Sequence, residues 1–303
     1  MNAVVYHEFG GFDKLKIEDV PVPEPKENQV LVKIAGLGLN PVDFKILHGH
    51  LPDFAGPFPI IPGFEMSGTV EKVGTGVMDF QVGDKVYGSA SRSMAEYAVA
   101  TTNGIALAPP SLDLPDAGTV PGSALTAYQA LFEHGNLQEG QRVLIHAAAG
   151  GVGSFAVQLA KWKGAYVIGT GSGSSEHFVR ELGADEFIDY KSQKFDEMLD
   201  PVDLVLDTIG GETGVRSEKI LKPGGILVAL TGQPDQSVFD QNGKTAKYMS
   251  AKPSGEMLKA ISDLIEDLQV RVVVSGQVHF ANVGEGLELL EGGHVRGKLL
   301  CLP

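Results

Sequence analysis

Residues Arg142-Val143-Leu144-Ile145-His146 run straight into Ala147-Ala148-Ala149-Gly150-Gly151-Val152-Gly153-Ser154, and apolar residues then recur at Phe155, Ala156, Val157, Leu159 and Ala160. An apolar strand, a glycine turn and an apolar helix in that order belong to one kind of layered sheet. The first turn of such a helix carries amide groups with no partner of their own, and its dipole favours negative charge. Gly150 and Gly151 let backbone approach an anion closely, and Gly153 lets the helix pack tightly on the strand. The pattern is A-x-G-x-x-G, with Ala148 where a first glycine is usual. It predicts a pyrophosphate site formed by Ala148, Gly150, Gly151, Val152 and Gly153.

Strands and helices alternate after that corner. Strand candidates are Arg142–His146, Tyr166–Thr170, Glu186–Ile188, Leu204–Thr208 and Ile226–Thr231, and helices fit Val152–Lys163, Ser175–Leu182 and Thr213–Leu221. Gly164 and Gly183 stand where helices should end. The alternation implies an α/β fold with a doubly wound parallel sheet. The first 110 or so residues read differently, as short strands over Ala3–Tyr6, Gln29–Ala35, Ser67–Val73, Lys85–Tyr87 and Ala95–Val99, separated by Gly and Pro turns. Pro115–His134 has helical spacing. Gly255–Leu268 reads as an amphipathic helix, and Val270–Val274 and Lys298–Leu302 as strands, with a weak strand near Lys247–Ser250. A β-rich domain over 1–117 and a parallel-sheet domain over 118–266 accommodate these shifts; periodicity does not show whether the break near 267 returns 267–303 to the first domain.

The 303 residues include 24 basic and 38 acidic ones, a net charge of −14. Such a surface repels nucleic acid and anionic lipid, so neither is expected as a partner. A single cysteine, Cys301, excludes an internal disulfide and leaves no cysteine-based metal site. No basic, apolar leader is visible at the start, and no run of about 18 apolar residues exists. The expectation is a cytoplasmic protein.

Several longer motifs then occur in order. Ile61-Pro62-Gly63-Phe64-Glu65-Met66-Ser67-Gly68-Thr69-Val70, Val73-Gly74 and Val82-Gly83-Asp84-Lys85-Val86 precede Gly122-Ser123-Ala124-Leu125-Thr126-Ala127-Tyr128-Gln129-Ala130-Leu131 and the glycine corner, and Leu39-Asn40-Pro41-Val42-Asp43 precedes them all. Over its whole length the chain resembles the medium-chain dehydrogenase/reductase superfamily, and within it the zinc-independent quinone oxidoreductases. The resemblance implies a GroES-like catalytic domain closed by the C-terminal strands, a Rossmann domain, and a nicotinamide cofactor in the cleft between them. It also implies an oligomer, a homodimer or homotetramer.

The zinc-holding relatives use a Cys, a Gly-His-Glu segment and a further Cys or Asp. Here Gly63-Phe64-Glu65 has Phe for the histidine and no cysteine lies near Asn40, so no zinc is expected. His48-Gly49-His50 with Asp53 is the one rival donor group. At the end of the second strand, Val167-Ile168-Gly169-Thr170-Gly171-Ser172-Gly173-Ser174-Ser175, no acid occurs before Glu176. An acid there would hold the ribose 2′-hydroxyl of NADH; small hydroxyls at Ser172 and Ser174 instead leave room for the 2′-phosphate of NADPH. NADPH is therefore expected, with NADH possible. The family often adds a basic residue at the position of Ser174, and Arg180 or Lys191 are the local substitutes. Tyr190 matches a family residue near the adenosine.

Hydride delivery to an electron-poor acceptor needs no Lewis acid, only donors for the developing oxyanion. The resemblance places Asn40 and Lys45 as catalytic candidates. Asn40 would also orient the nicotinamide, Thr126 would touch it, and Phe44 and Leu51 would offer apolar walls. Asp43 is read as a structural hydrogen-bonder. The expected activity is reduction of quinones or α,β-unsaturated carbonyls. An enoyl or alkenal reductase of narrower range, and a non-catalytic NADPH-binding sensor, stay open.

Overall fold

All 303 residues are described by a computed structural model of the chain. They form two compact units. One comprises Met1–Leu125 with Pro253–Pro303, the other Thr126–Lys252.

The second unit is a six-stranded sheet, every pair parallel. In spatial order its strands are Glu186–Asp189, Tyr166–Gly171, Arg142–Ile145, Val202–Asp207, Leu221–Ala229 and Thr245–Tyr248. Val143, Leu144, Ile145, Val167, Ile168, Leu204, Val205 and Leu206 are almost wholly buried, the pattern of central strands covered on both faces. From Arg142–Ile145 the chain first winds to one side and then, through Val202–Asp207, to the other. That reversal opens a crevice at the carboxyl ends of these two strands. Helix Gly151–Trp162 leaves from the same place. Gly164 and Gly183 adopt the left-handed conformation after their helices, with φ of +83° and +108°.

The first unit is built on a seven-stranded sheet whose longest member, Gln29–Gly38, pairs with Glu65–Val73, Tyr97–Thr101 and the C-terminal strand Lys298–Leu302. Val30, Val32, Leu37, Met66, Val70, Val86, Met94 and Cys301 form its core. Lys298–Leu302 joins antiparallel to Gln29–Gly38, so residues near 300 complete a sheet begun near residue 30.

Some elements depart from the sequence reading. The strand expected at Val270–Val274 lies at Val274–His279 instead, pairing in parallel with Lys298–Leu302. Four helices went unforeseen, Pro41–Leu47, Phe195–Met198, Gln236–Asp240 and Val283–Glu291. The stretch expected to be one helix over Pro115–His134 is Leu114–Ala117, Pro121–Tyr128 and a wider π-turn over Gln129–His134, because Pro121 has no amide to continue the first piece. The units divide at 125/126 and 252/253 where 117/118 and 266/267 were expected. Helix Gly255–Glu266 accounts for the second shift: Leu258, Ile261, Leu264 and Ile265 bury one face, and the Tyr87 hydroxyl donates to the Leu258 carbonyl at 2.6 Å.

Candidate active site

In the nucleotide-type unit, the corner is fixed from both sides. Ala147 sits at φ +49°, a left-handed position that costs a non-glycine residue about 1 kcal/mol. The Ala148 amide donates to the Thr170 carbonyl at 2.9 Å, so the corner hangs on the end of the second strand. Ala148 is fully buried, and its Cβ lies 2.9 Å from where a side chain on Gly169 would begin. A Cβ on Gly153 would stand 2.3 Å from the Ala147 carbonyl oxygen and 2.7 Å from Ala148 Cα, so this position admits no side chain. Gly150 is the N-cap, and the Ser154 amide makes the first helical bond back to its carbonyl at 2.9 Å. The amides ahead of Ser154 are those a helix leaves for an anion.

His146, just before the corner, was not singled out from the sequence. Its Nε2 lies 2.9 Å from Ser217 Oγ and its Nδ1 3.1 Å from Thr170 Oγ1. Ser217 Oγ spends its proton on the Thr213 carbonyl at 2.7 Å, so it accepts from Nε2–H, and Nδ1 accepts from Thr170. Burial holds the ring neutral and pushes its pKa down to about 4. The ring thus ties the first strand to the second strand and to helix Glu212–Ser217. The Asp207 carboxylate, also buried, accepts from the Ile209 and Gly210 amides at 2.9 and 2.8 Å and shapes the loop after the fourth strand in the chain order of this sheet.

Ser172 and Ser174 stand together beyond the second strand, their hydroxyls 3.1 Å apart. Tyr190 donates its amide to the Gly171 carbonyl at 3.1 Å and leaves its ring 61% exposed beside them. These three expected residues are therefore brought together. Arg180 is drawn elsewhere: its Nε bonds Glu176 at 2.8 Å and its Nη1 the Asp185 carbonyl at 3.2 Å. Thr126 is half-buried on helix Pro121–Tyr128.

In the β-rich unit, Asn40 is the N-cap of helix Pro41–Leu47, and Lys45 lies half-buried on that helix. The Asn40 side chain is heavily engaged. Its Nδ2 donates to Glu65 Oε1 at 2.6 Å and to the Gly38 carbonyl at 3.1 Å, while its Oδ1 accepts from Lys298 Nζ at 2.6 Å. Lys298 and Glu65 form an ion pair at 2.9 Å with side chains 3% and 2% exposed. Lys298 Nζ also donates to the Leu39 carbonyl at 3.2 Å, and the Gly122 amide donates to Glu65 Oε2. A buried pair satisfied on every side holds its geometry firmly, because breaking it strands a charge. Sequence reading missed both members. The signal was there for Lys298, a lone charge opening the apolar run Leu299-Leu300-Cys301-Leu302.

Comparison with known proteins fits this geometry. Residues 26–130 match the alcohol dehydrogenase GroES-like domain family and residues 182–300 a zinc-binding dehydrogenase family. A chloroplastic NADPH-dependent alkenal/one oxidoreductase of Arabidopsis thaliana is 35% identical, aligned over 100% of this chain and 80% of its own. A chloroplastic quinone-oxidoreductase homolog of Spinacia oleracea is 32% identical, over 100% of this chain and 98% of its own. The solved quinone oxidoreductase from Coxiella burnetii superposes with a TM-score of 0.93 at 34% identity, covering 100% of this chain and 99% of that one. The chain belongs to the zinc-independent quinone oxidoreductase branch of the medium-chain dehydrogenase/reductase superfamily.

The expectation of a cytoplasmic protein is corrected by the same comparison, since the relatives are named as chloroplast proteins. An acidic chain with one cysteine suits a stroma as well as a cytosol, so composition carried no address.

Zinc, which one matching family is named for, does not fit the residues present. Phe64 offers no lone pair, Glu65 is held by the Lys298 ammonium, and no group of three His, Cys, Asp or Glu side chains converges anywhere. His48 of the rival group is turned to other partners, with Nδ1 2.7 Å from the Gly10 carbonyl and Nε2 3.4 Å from Glu291.

Proposed function

We propose that this protein is an NADPH-dependent reductase of quinones and α,β-unsaturated carbonyls that works without a metal. The observation that carries the reading is the glycine corner, with its close approach at Gly153 and its helix amides, followed by a second strand that ends in serines and no acid. Kinship with an NADPH-dependent alkenal/one oxidoreductase and with quinone oxidoreductases supports it.

Bound NADPH supplies hydride. The chain's own part is to hold and orient. Amides at Gly151, Val152 and Gly153 face the pyrophosphate, with Ala148 and Gly150 setting the turn. Ser172 and Ser174 donate to the 2′-phosphate, and Tyr190 lies along the adenosine. Thr126 touches the nicotinamide. Lys45, the one basic residue of helix Pro41–Leu47, donates to the acceptor's oxygen as charge develops there. Asn40, bound on three sides, sets the start of that helix and so the placement of Lys45. No acid of the helix is open to the solvent, Asp43 being buried, so water protonates the product carbon. We propose further that two copies pair through the outer edge of Thr245–Tyr248, the last strand of the sheet.

The test is consumption of NADPH against a panel of quinones and enones, run with and without EDTA. Turnover with both classes, unchanged by the chelator, is expected. Saturable NADPH binding with no turnover on any acceptor would favour a sensor, and loss of rate restored by zinc would end the metal-free reading.

A further inference from the structure

The serine loop contains an anion. Asp189 closes the third strand of the nucleotide-type unit in register with Gly171, so its carboxylate stands level with the loop that follows the second strand. Its Oδ1 accepts from the Lys191 amide at 3.0 Å and its Oδ2 from Ser192 Oγ at 3.0 Å. Its Oδ2 also lies 3.0 Å from where a Cβ on Gly173 would begin, so the carboxylate stands against the backbone between the two serines. Gly173 lies between Ser172 and Ser174, so a phosphate at those serines would sit beside the Asp189 carboxylate. The nearby Lys191 ammonium is attracted to the same carboxylate, and Arg180 is committed to Glu176.

We infer that Asp189 is a specificity-determining residue that weakens the hold on a 2′-phosphate and so lets the enzyme accept NADH alongside NADPH. The inference rests on the nucleotide reading above. Its physics is direct. A phosphate brought to Ser172 and Ser174 meets a fixed negative charge and competes with that charge for Lys191. A 2′-hydroxyl meets none of these costs. The sequence pattern, with serines and no acid at the end of the second strand, reads as NADPH-selective only because the opposing acid comes from the neighbouring strand.

Titration calorimetry of NADP⁺ and NAD⁺ with the wild-type protein and Asp189→Asn tests this. Asparagine keeps the shape and one acceptor oxygen for the Lys191 amide while removing the charge. NADP⁺ should bind about fivefold more tightly to the variant, with NAD⁺ changed by less than about twofold and the gain shrinking as salt rises. Asp189→Ser, which also removes the charge, should shift the ratio in the same direction and serves if the first variant does not fold. An unmoved NADP⁺/NAD⁺ ratio, or equal changes for both nucleotides, would overturn the role of Asp189 while leaving the nucleotide site standing. No saturable binding of either nucleotide to the wild type would overturn the underlying reading and this inference with it.

Discussion

At the scale of single residues, Asp43 shows how the candidate site stores unfavourable chemistry. It is 2% exposed, and its Oδ2 accepts from the Asn40 amide at 2.8 Å. Burial pushes its pKa from 3.8 up to about 7; the Asn40 amide opposes the rise and the Glu65 charge adds to it. Between those two values the folded chain holds a proton that the unfolded chain has lost. The stabilisation is therefore complete below pH 3.8 and is lost as pH rises through about 7. Asp43→Asn should flatten that slope, raising stability relative to wild type at pH 8 by up to about 4 kcal/mol. Urea titrations at pH 5 and pH 8 check it, and an unchanged difference between the two pH values would count against it. The buried cluster of Asn40, Glu65 and Lys298 was not legible in the sequence for a related reason: Lys298 and Glu65 lie 233 positions apart, and only the folded sheet makes them neighbours. Asp189 escaped notice because a carboxylate was sought along the second strand and not beside it.

At the scale of elements, the glycine corner was readable in advance because each of its residues answers a local demand. Its strand is apolar throughout, and its helix repeats apolar residues at the right interval. A Gly153→Ala change places a methyl group 2.3 Å from the Ala147 carbonyl oxygen, which cannot be relieved without moving the helix off the strand. A loss of roughly 1–3 kcal/mol of stability, with at least about tenfold weaker NADPH binding, is expected from thermal melts and nucleotide titration of the same variant. Elements whose shape is imposed from outside were harder to read. Helix Pro41–Leu47 begins inside the Leu39–Asp43 motif, and its buried Phe44, Ile46 and Leu47 declare themselves only against the core they fill. Val270-Arg271-Val272-Val273-Val274 has the β-branched composition of a strand, yet the paired segment starts at Val274, where alternate residues turn inward. The π-turn Gln129–His134 has no residue signature at all.

At the scale of the whole molecule, the layered parallel sheet was foreseeable from strand and helix alternation, and the return of the chain to its first sheet only from the family resemblance. The proposed pairing of copies belongs here. Thr245–Tyr248 pairs with a strand on one side only, Leu221–Ala229; on its outer side the Ala246 amide donates to Gln236 Oε1 at 2.9 Å, and Tyr248 is 42% exposed. An open strand edge is a template for a second strand. Light scattering should give a dimer or a multiple of it, and Tyr248→Pro, which removes an amide facing that edge, should shift the mass toward a monomer.

One further property follows from Gln129. Its side-chain amide grips the backbone of Lys252 twice, donating to the carbonyl at 2.8 Å and accepting from the amide at 3.0 Å. These are the entry and exit of the segment Thr126–Lys252. A module whose two ends are latched to each other is a cassette: it can be lifted out at a single seam, and a short linker would suffice to join its ends.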